Sequence, residues 1–108
     1  MATKLKSLSD FSNIEIPSAE LFRFGIVVAQ WNWEITEALY KGAYKTLLNN
    51  GALEENLFLI QVPGSFELTT AADLLLSFKQ VNAIICLGCV IKGETPHFDF
   101  ICAAVANG

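Results

Sequence analysis

The sequence predicts a three-layer α/β fold, a parallel β-sheet with helices on both faces in the order βαβαβα. Three observations carry this. Three short runs, FRFGIVVAQ from Phe22, LFLIQV over 57–62 and AIICLGC within 81–91, are apolar and rich in β-branched residues, the pattern of strands buried on both faces. Stretches of roughly 10 to 18 residues with apolar positions three and four apart alternate with them. Strands this apolar, alternating with helices, call for right-handed crossovers that cover both faces of one sheet.

Each element has its own signature. Residues 1–21 form a polar arm without clear period, containing Ser7, Ser9, Ser12, Pro17 and Ser18, either an extended tail or a strand that docks elsewhere. The α/β domain spans 22–108. After the first strand, Asn32 stands at an N-cap position, with Glu34 in the first turn near the positive end of the helix dipole. Ile35, Ala38, Leu39, Gly42, Ala43, Thr46 and Leu47 then form one stripe expected to face the sheet, and Gly51 after Asn49 and Asn50 supplies a left-handed stop. The second strand is cut off by Pro63 and Gly64. Ser65 is expected to cap a helix with Phe66, Leu68, Ala71, Ala72 and Leu75 in period, although Leu75 and Leu76 leave the inward stripe ambiguous. The third strand runs into a turn at KGE. Thr95 and Pro96 read as N-cap and first residue of a last helix, with Phe98, Ile101, Cys102 and Val105 on one stripe.

Composition narrows the function. The chain has 108 residues, 53% hydrophobic and 17% charged, with mean hydropathy +0.43, against ~25% charged for an average soluble domain. A chain this short buries only about 65% of its extended surface, so the apolar excess calls for a partner subunit or for further chain. Apolar content excludes disorder. A net charge of −4 with seven Lys and Arg, Arg23 being the single arginine, leaves no basic footprint for nucleic acid. No apolar stretch approaches the ~20 residues of a membrane span, and MATKLKSLSD lacks the features of a secretory or transit signal, so a cytoplasmic location is expected. Cys86 and Cys89 make a CxxC, but inside a β-branched run they and Cys102 read as small buried hydrophobes rather than a redox or zinc pair.

Open parallel sheets bind ligands beyond the carboxyl ends of their strands. Here those ends run into AQWNW, VPGSFE and CVIKGETPH, which carry an aromatic (Trp31), an acid (Glu67) and a Gly, Thr and His cluster unusual in plain connectors. These three segments are expected to converge on one edge.

GIVVAQWN, VPGSFEL and LGCVIKGETPHFD, in this order and on these element ends, resemble the 6,7-dimethyl-8-ribityllumazine synthase family across 22–108. The resemblance implies a flavodoxin-like sheet and condensation of 5-amino-6-(D-ribitylamino)uracil with 3,4-dihydroxy-2-butanone 4-phosphate, releasing phosphate and water, with no metal or redox cofactor. Imine formation, phosphate elimination and ring closure each move protons, so a side chain titrating near neutrality is the useful catalyst. By resemblance that residue is His97, the single histidine; without the resemblance, a surface or capping histidine is the commoner reading. The family places the butanone phosphate at Glu94 and Thr95, where free N–H groups at a helix start suit an anion, although an ordinary capped turn would use the same residues. Trp31 takes the role of aromatic platform for the pyrimidinedione ring, gaining roughly 0.5–1.5 kcal/mol from offset stacking. Trp33 is the better candidate for a core or interface tryptophan. Ser65, Phe66 and Glu67 are implied to hold the ring and ribityl hydroxyls, Glu67 otherwise being an acid on a solvated first turn. Cys89, Val90 and Ile91 are implied to contribute mainly backbone.

The family extends beyond this pattern with another strand and helices, which carry a phosphate-binding arginine and an aromatic reaching a neighbour's site; the chain is therefore expected to be partial. The resemblance further implies a homo-oligomer, a pentamer or pentamer-based shell, with the arm of residues 1–21 added to a neighbouring sheet. Two other classes fit parts of the pattern. A flavin- or nucleotide-binding module of flavodoxin-like fold explains the sheet but not GETPH, and a non-catalytic ligand-binding or shell-forming fragment keeps the contacts without turnover.

Overall fold

A computed structural model describes residues 14–108. Three parallel strands, β1 (Phe24–Ala29), β2 (Leu57–Val62) and β3 (Ala83–Leu87), form one sheet in the order β2-β1-β3. Three helices follow them: α1 (Trp33–Asn49), α2 (Leu68–Phe78) and α3 (His97–Asn107). Single 3-10 turns at Glu54–Asn56 and Ser65–Glu67 precede β2 and α2. The βαβαβα order and the parallel sheet match the expectation.

Register decides where the strand exits lie. Phe24 pairs with both Leu57 and Ala83, and the ladders run level to Ala29 with Val62 and Val28 with Leu87. All three chains therefore leave the sheet at the same edge. Alternation along β1 separates its two faces. Val27 and Ala29 pack with Val62, Leu68, Ala71 and Leu75 beneath α2, flanked by Ile60 and Ile84. Ile26 and Val28, equally inaccessible, point the other way, where α1 lies along β1. Helices thus cover both faces.

Burial on both faces holds for β1 alone. Ile26, Val27, Val28 and Ala29 are at most 1% exposed, because β1 is central and has a helix on each side. In β2, Leu59 and Gln61 are exposed, and in β3 Ala83 and Cys86 are, because both strands are edges of this three-stranded sheet. The outer side of β3 has no pairing partner among the described residues.

The stripe expected on α1 is displaced by one position. Thr36 is fully buried, with Tyr40, Ala43, Tyr44, Leu47 and Leu48 half-buried, whereas Ile35, Ala38, Leu39, Gly42 and Thr46 face outward. The inward face is carried by a threonine and by tyrosines that keep their hydroxyls at the surface, Tyr44 donating to Glu54 Oε1 at 3.2 Å. The helix ends as expected. Gly51, at φ 100°, donates to the Leu48 carbonyl while Ala52 donates to Leu47, the paired bonds of a Schellman stop that favours a residue without Cβ. Ala19 docks on this corner, its N–H donating to the Asn50 carbonyl at 2.8 Å. The expected arm is thus tied down near its end; Ile14 and Ile16 are half exposed, and residues 1–13 lie outside the described residues.

On α2 the inward residue is Leu75, not Leu76, which is 61% exposed, and Phe66 lies off the stripe at 60% exposed. The stripe of α3 holds: Phe98, Ile101, Cys102 and Val105 are its half-buried positions, together with Ala104.

Candidate active site at the carboxyl edge

Beyond the level strand ends lies a cleft of about 540 Å³ lined by Trp31, Asn32, Gly64, Ser65, Phe66, Glu67, Cys89, Val90, Ile91, His97 and Ile101. All three strand exits contribute to it. Of the residues singled out from the sequence, Trp31, Ser65, Phe66, Glu67, Cys89, Val90, Ile91 and His97 come together here; Glu94 and Thr95 do not line it and stand in the exposed turn just before His97.

The backbone past β1 and β2 remains paired, since Gln30 N–H donates to Val62 O at 2.7 Å and Trp31 N–H to Pro63 O at 2.9 Å. Trp31 is therefore anchored through its main chain while its ring stays 70% exposed, leaving an indole face free for stacking. Trp33 is half-buried, and its Nε1–H donates to Glu37 Oε2 at 3.0 Å. The two neighbouring tryptophans thus differ in exposure.

Asn32 starts α1 by another route than the one expected. It adopts the left-handed conformation (φ 60°, ψ 49°), which asparagine tolerates better than most residues, and its carbonyl accepts from Ile35 and Thr36. Its side chain makes no cap bond and is left to line the cleft.

Ser65 does not cap α2. Its hydroxyl donates to the Cys89 carbonyl at 3.3 Å, joining the exit of β2 to the exit of β3. Glu67 does the local work instead: its Oε1 accepts from Gly64 N–H at 2.9 Å, closing the turn and holding the carboxylate toward the cleft. Phe66, 60% exposed, contributes to the wall rather than the core.

The last helix begins one residue later than expected, with Pro96 as N-cap and His97 as its first residue. Thr95 still accepts a bond, from His97 N–H to its Oγ1 at 3.4 Å. His97 stands at the mouth of the cleft, and Ile101, one turn along the same helix face, backs it. Cys86 and Cys89 are free thiols, as is Cys102. Cys86 is exposed at the sheet edge rather than buried as the sequence suggests, because β3 is an edge strand; the partial burial it keeps pushes its thiol upward from its ordinary range, the reverse of what a reactive CxxC requires.

Sequence reasoning missed Asn32, Gly64 and Ile101 as lining residues. Asn32 was read only as a cap and Gly64 only as a strand breaker. The spacing of Ile101 from His97, one helical turn, was a usable signal.

These features define a class: an α/β domain with flavodoxin-like sheet order, a cleft at the carboxyl edge of its strands and a histidine at a helix start beside it. Residues 21–108 match the 6,7-dimethyl-8-ribityllumazine synthase family, and the chain belongs to that family. Proteins named 6,7-dimethyl-8-ribityllumazine synthase from Cytophaga hutchinsonii and Phocaeicola vulgatus are 54% and 46% identical to it over its whole length. One from Bacteroides fragilis is 55% identical over 80% of it. The chain spans 67%, 64% and 60% of the length of these three relatives.

Proposed function

We propose that this chain forms the ring-binding and acid/base half of a site that condenses 5-amino-6-(D-ribitylamino)uracil with 3,4-dihydroxy-2-butanone 4-phosphate to 6,7-dimethyl-8-ribityllumazine, phosphate and water. The observation that carries this is the convergence of Trp31, Ser65–Glu67, Cys89–Ile91 and His97 on one cleft, from segments of the chain up to 66 positions apart in a sequence of this family (97 − 31).

In this reading the pyrimidinedione stacks on the exposed face of Trp31, and main-chain groups at Phe66 and along Cys89–Ile91 hold its edges. Glu67, with Oε1 engaged by Gly64, accepts from ribityl hydroxyls with its other oxygen. The ketone of the second substrate meets the amine in front of His97, which accepts and returns the protons of imine formation, elimination and ring closure. Phosphate sits over the turn at Glu94 and Thr95, at the positive end of the α3 dipole.

The cytoplasm is the proposed location; no helix among the described residues is long and apolar enough to cross a membrane. A pentamer or pentamer-based shell is proposed as the working assembly, with the arm of residues 1–21 crossing to a neighbour. Supporting this are the outward apolar residues Ile14, Ile16, Ile35 and Leu39, each 44% exposed or more.

The test mixes the chain with both substrates and follows lumazine absorbance and phosphate release together. Both signals are expected to rise in parallel. Uracil binding without product would identify a ligand-binding fragment, and neither binding nor product would contradict the reading.

A further inference from the structure

Gly88 connects β3 to the cleft wall, and it is packed against Ser65, which is 7% exposed. A Cβ at Gly88 would stand 2.5 Å from Ser65 Oγ, 3.3 Å from Ser65 Cβ and 2.8 Å from Leu68 Cδ1. Unstrained contacts of this kind begin near ~3.5 Å, so something would have to move. Leu68 Cδ1 is the far end of a flexible side chain that borders a neighbouring hollow and can turn into it, so the contact with Ser65 decides. Rotating the Ser65 hydroxyl away would forfeit its bond to the Cys89 carbonyl. The remaining relief is a shift of the backbone from Gly88 into Cys89, Val90 and Ile91. Gly93, by contrast, has nothing within 4 Å of an added Cβ, so the demand for glycine belongs to position 88 and not to the loop at large.

Packing behind the wall does not pin this segment. A second hollow, about 480 Å³ and lined by Leu68, Ala72, Cys86, Cys89 and Val105 among others, opens on the far side of Ser65. Ser65, Cys89 and Val90 line both spaces and separate them.

We propose that Gly88 is a positioning residue: its missing side chain seats Ser65 against the exit of β3, and that seating sets where the Cys89–Ile91 backbone stands along the cleft. This rests on the cleft being the uracil-binding site proposed above. Neither glycine nor serine touches the reacting atoms in this role; they act through the main chain of the wall.

A double-mutant cycle tests it with the chain itself, Ser65→Gly, Gly88→Ala and the two combined. Two readouts are taken: amide hydrogen exchange resolved to Cys89–Ile91 and to β1, and affinity for 5-amino-6-(D-ribitylamino)uracil from tryptophan quenching. Gly88→Ala is expected to speed exchange at Cys89–Ile91 while β1 stays protected, and to weaken binding about 10-fold, which is ~1.4 kcal/mol and within the usual cost of an extra methyl in a filled site. In the Ser65→Gly background, which makes room for the new methyl, the same substitution should change affinity less than about threefold. The proposal is overturned if Gly88→Ala leaves both readouts as in the parent, if its penalty persists undiminished beside Ser65→Gly, or if exchange rises equally in β1. If the parent chain binds no uracil, the functional reading fails, yet the exchange pattern still decides the role of Gly88. Should Gly88→Ala not fold, Ser65→Ala, which deletes only the hydroxyl, must raise exchange at Cys89–Ile91 and spare β1.

Discussion

β1 and β3 are built from similar letters, FGIVVA and AIICL, yet one is sealed and the other half open. The difference is position. β1 is paired on both edges and covered on both faces, whereas β3 is paired on one edge, and the helix that follows it has no fully buried residue. Trp31 and Asn32 therefore project from the most rigid part of the molecule, and His97 rides on the least buried part. The cleft joins a side carrying Trp31 on a fully covered strand to a less buried side carrying His97, and Ser65, bonded to the Cys89 carbonyl, ties the exit of β2 to that of β3 between them.

The comparison can be broken by removing core atoms on each side. Ile26→Ala in β1 should cost about 3 kcal/mol of unfolding free energy and Ile85→Ala in β3 about 1 kcal/mol, because cavity cost follows how completely the site is filled. Urea denaturation measures both, and equal losses would show that the two strands are equally packed. Next in size is Trp31→Ala. With its ring 70% exposed, removal should leave the melting temperature within about 2 °C and weaken uracil binding about 10-fold, the equivalent of a lost stacking contact. A large fall in stability would instead make Trp31 a core residue.

Thr36→Val sharpens the same contrast from the α1 side. Thr36 is fully buried against the sheet and its Oγ1 has no hydrogen-bond partner among the described residues. Exchanging that hydroxyl for a methyl should stabilise the chain by about 1 kcal/mol, readable as a rise in melting temperature; a loss would mean that the hydroxyl is engaged. The smallest effect is chemical. Cys86, at the exposed edge, should be alkylated by iodoacetamide in the native state, with a rate still rising with pH where that of a free cysteine has levelled off, because partial burial pushes its thiol upward. Peptide mapping by mass spectrometry reads the site, and full protection would show that the outer side of β3 is covered.

Much of this was legible in the residues. Three β-branched runs, the Asn-Asn-Gly stop after α1 and the strand-end rule located the sheet and brought Trp31, Glu67 and His97 to one edge. The facing of α1 was not legible, since Ile35, Ala38 and Leu39 make a cleaner apolar stripe than Thr36, Tyr40 and Ala43. Hydrophobicity alone does not say which stripe of a helix meets the sheet; the sheet selects what fits beside Ile26 and Val28. The edge status of β3 was equally hidden, because a run of apolar letters does not say how many neighbours a strand has. Within the site, side-chain chemistry could be anticipated, but the bond from Ser65 to Cys89 and the turn from Glu67 to Gly64 depend on distances across the fold.

The central claim is that His97 performs proton transfer at a cleft whose ring-binding side is independent of it. Comparing the chain with His97→Ala, using lumazine absorbance for turnover and tryptophan quenching for uracil affinity, tests both halves at once. Turnover should fall about 10²- to 10⁴-fold, the usual contribution of a positioned acid/base group, with uracil affinity and melting temperature unchanged. Undiminished turnover in His97→Ala would contradict the account.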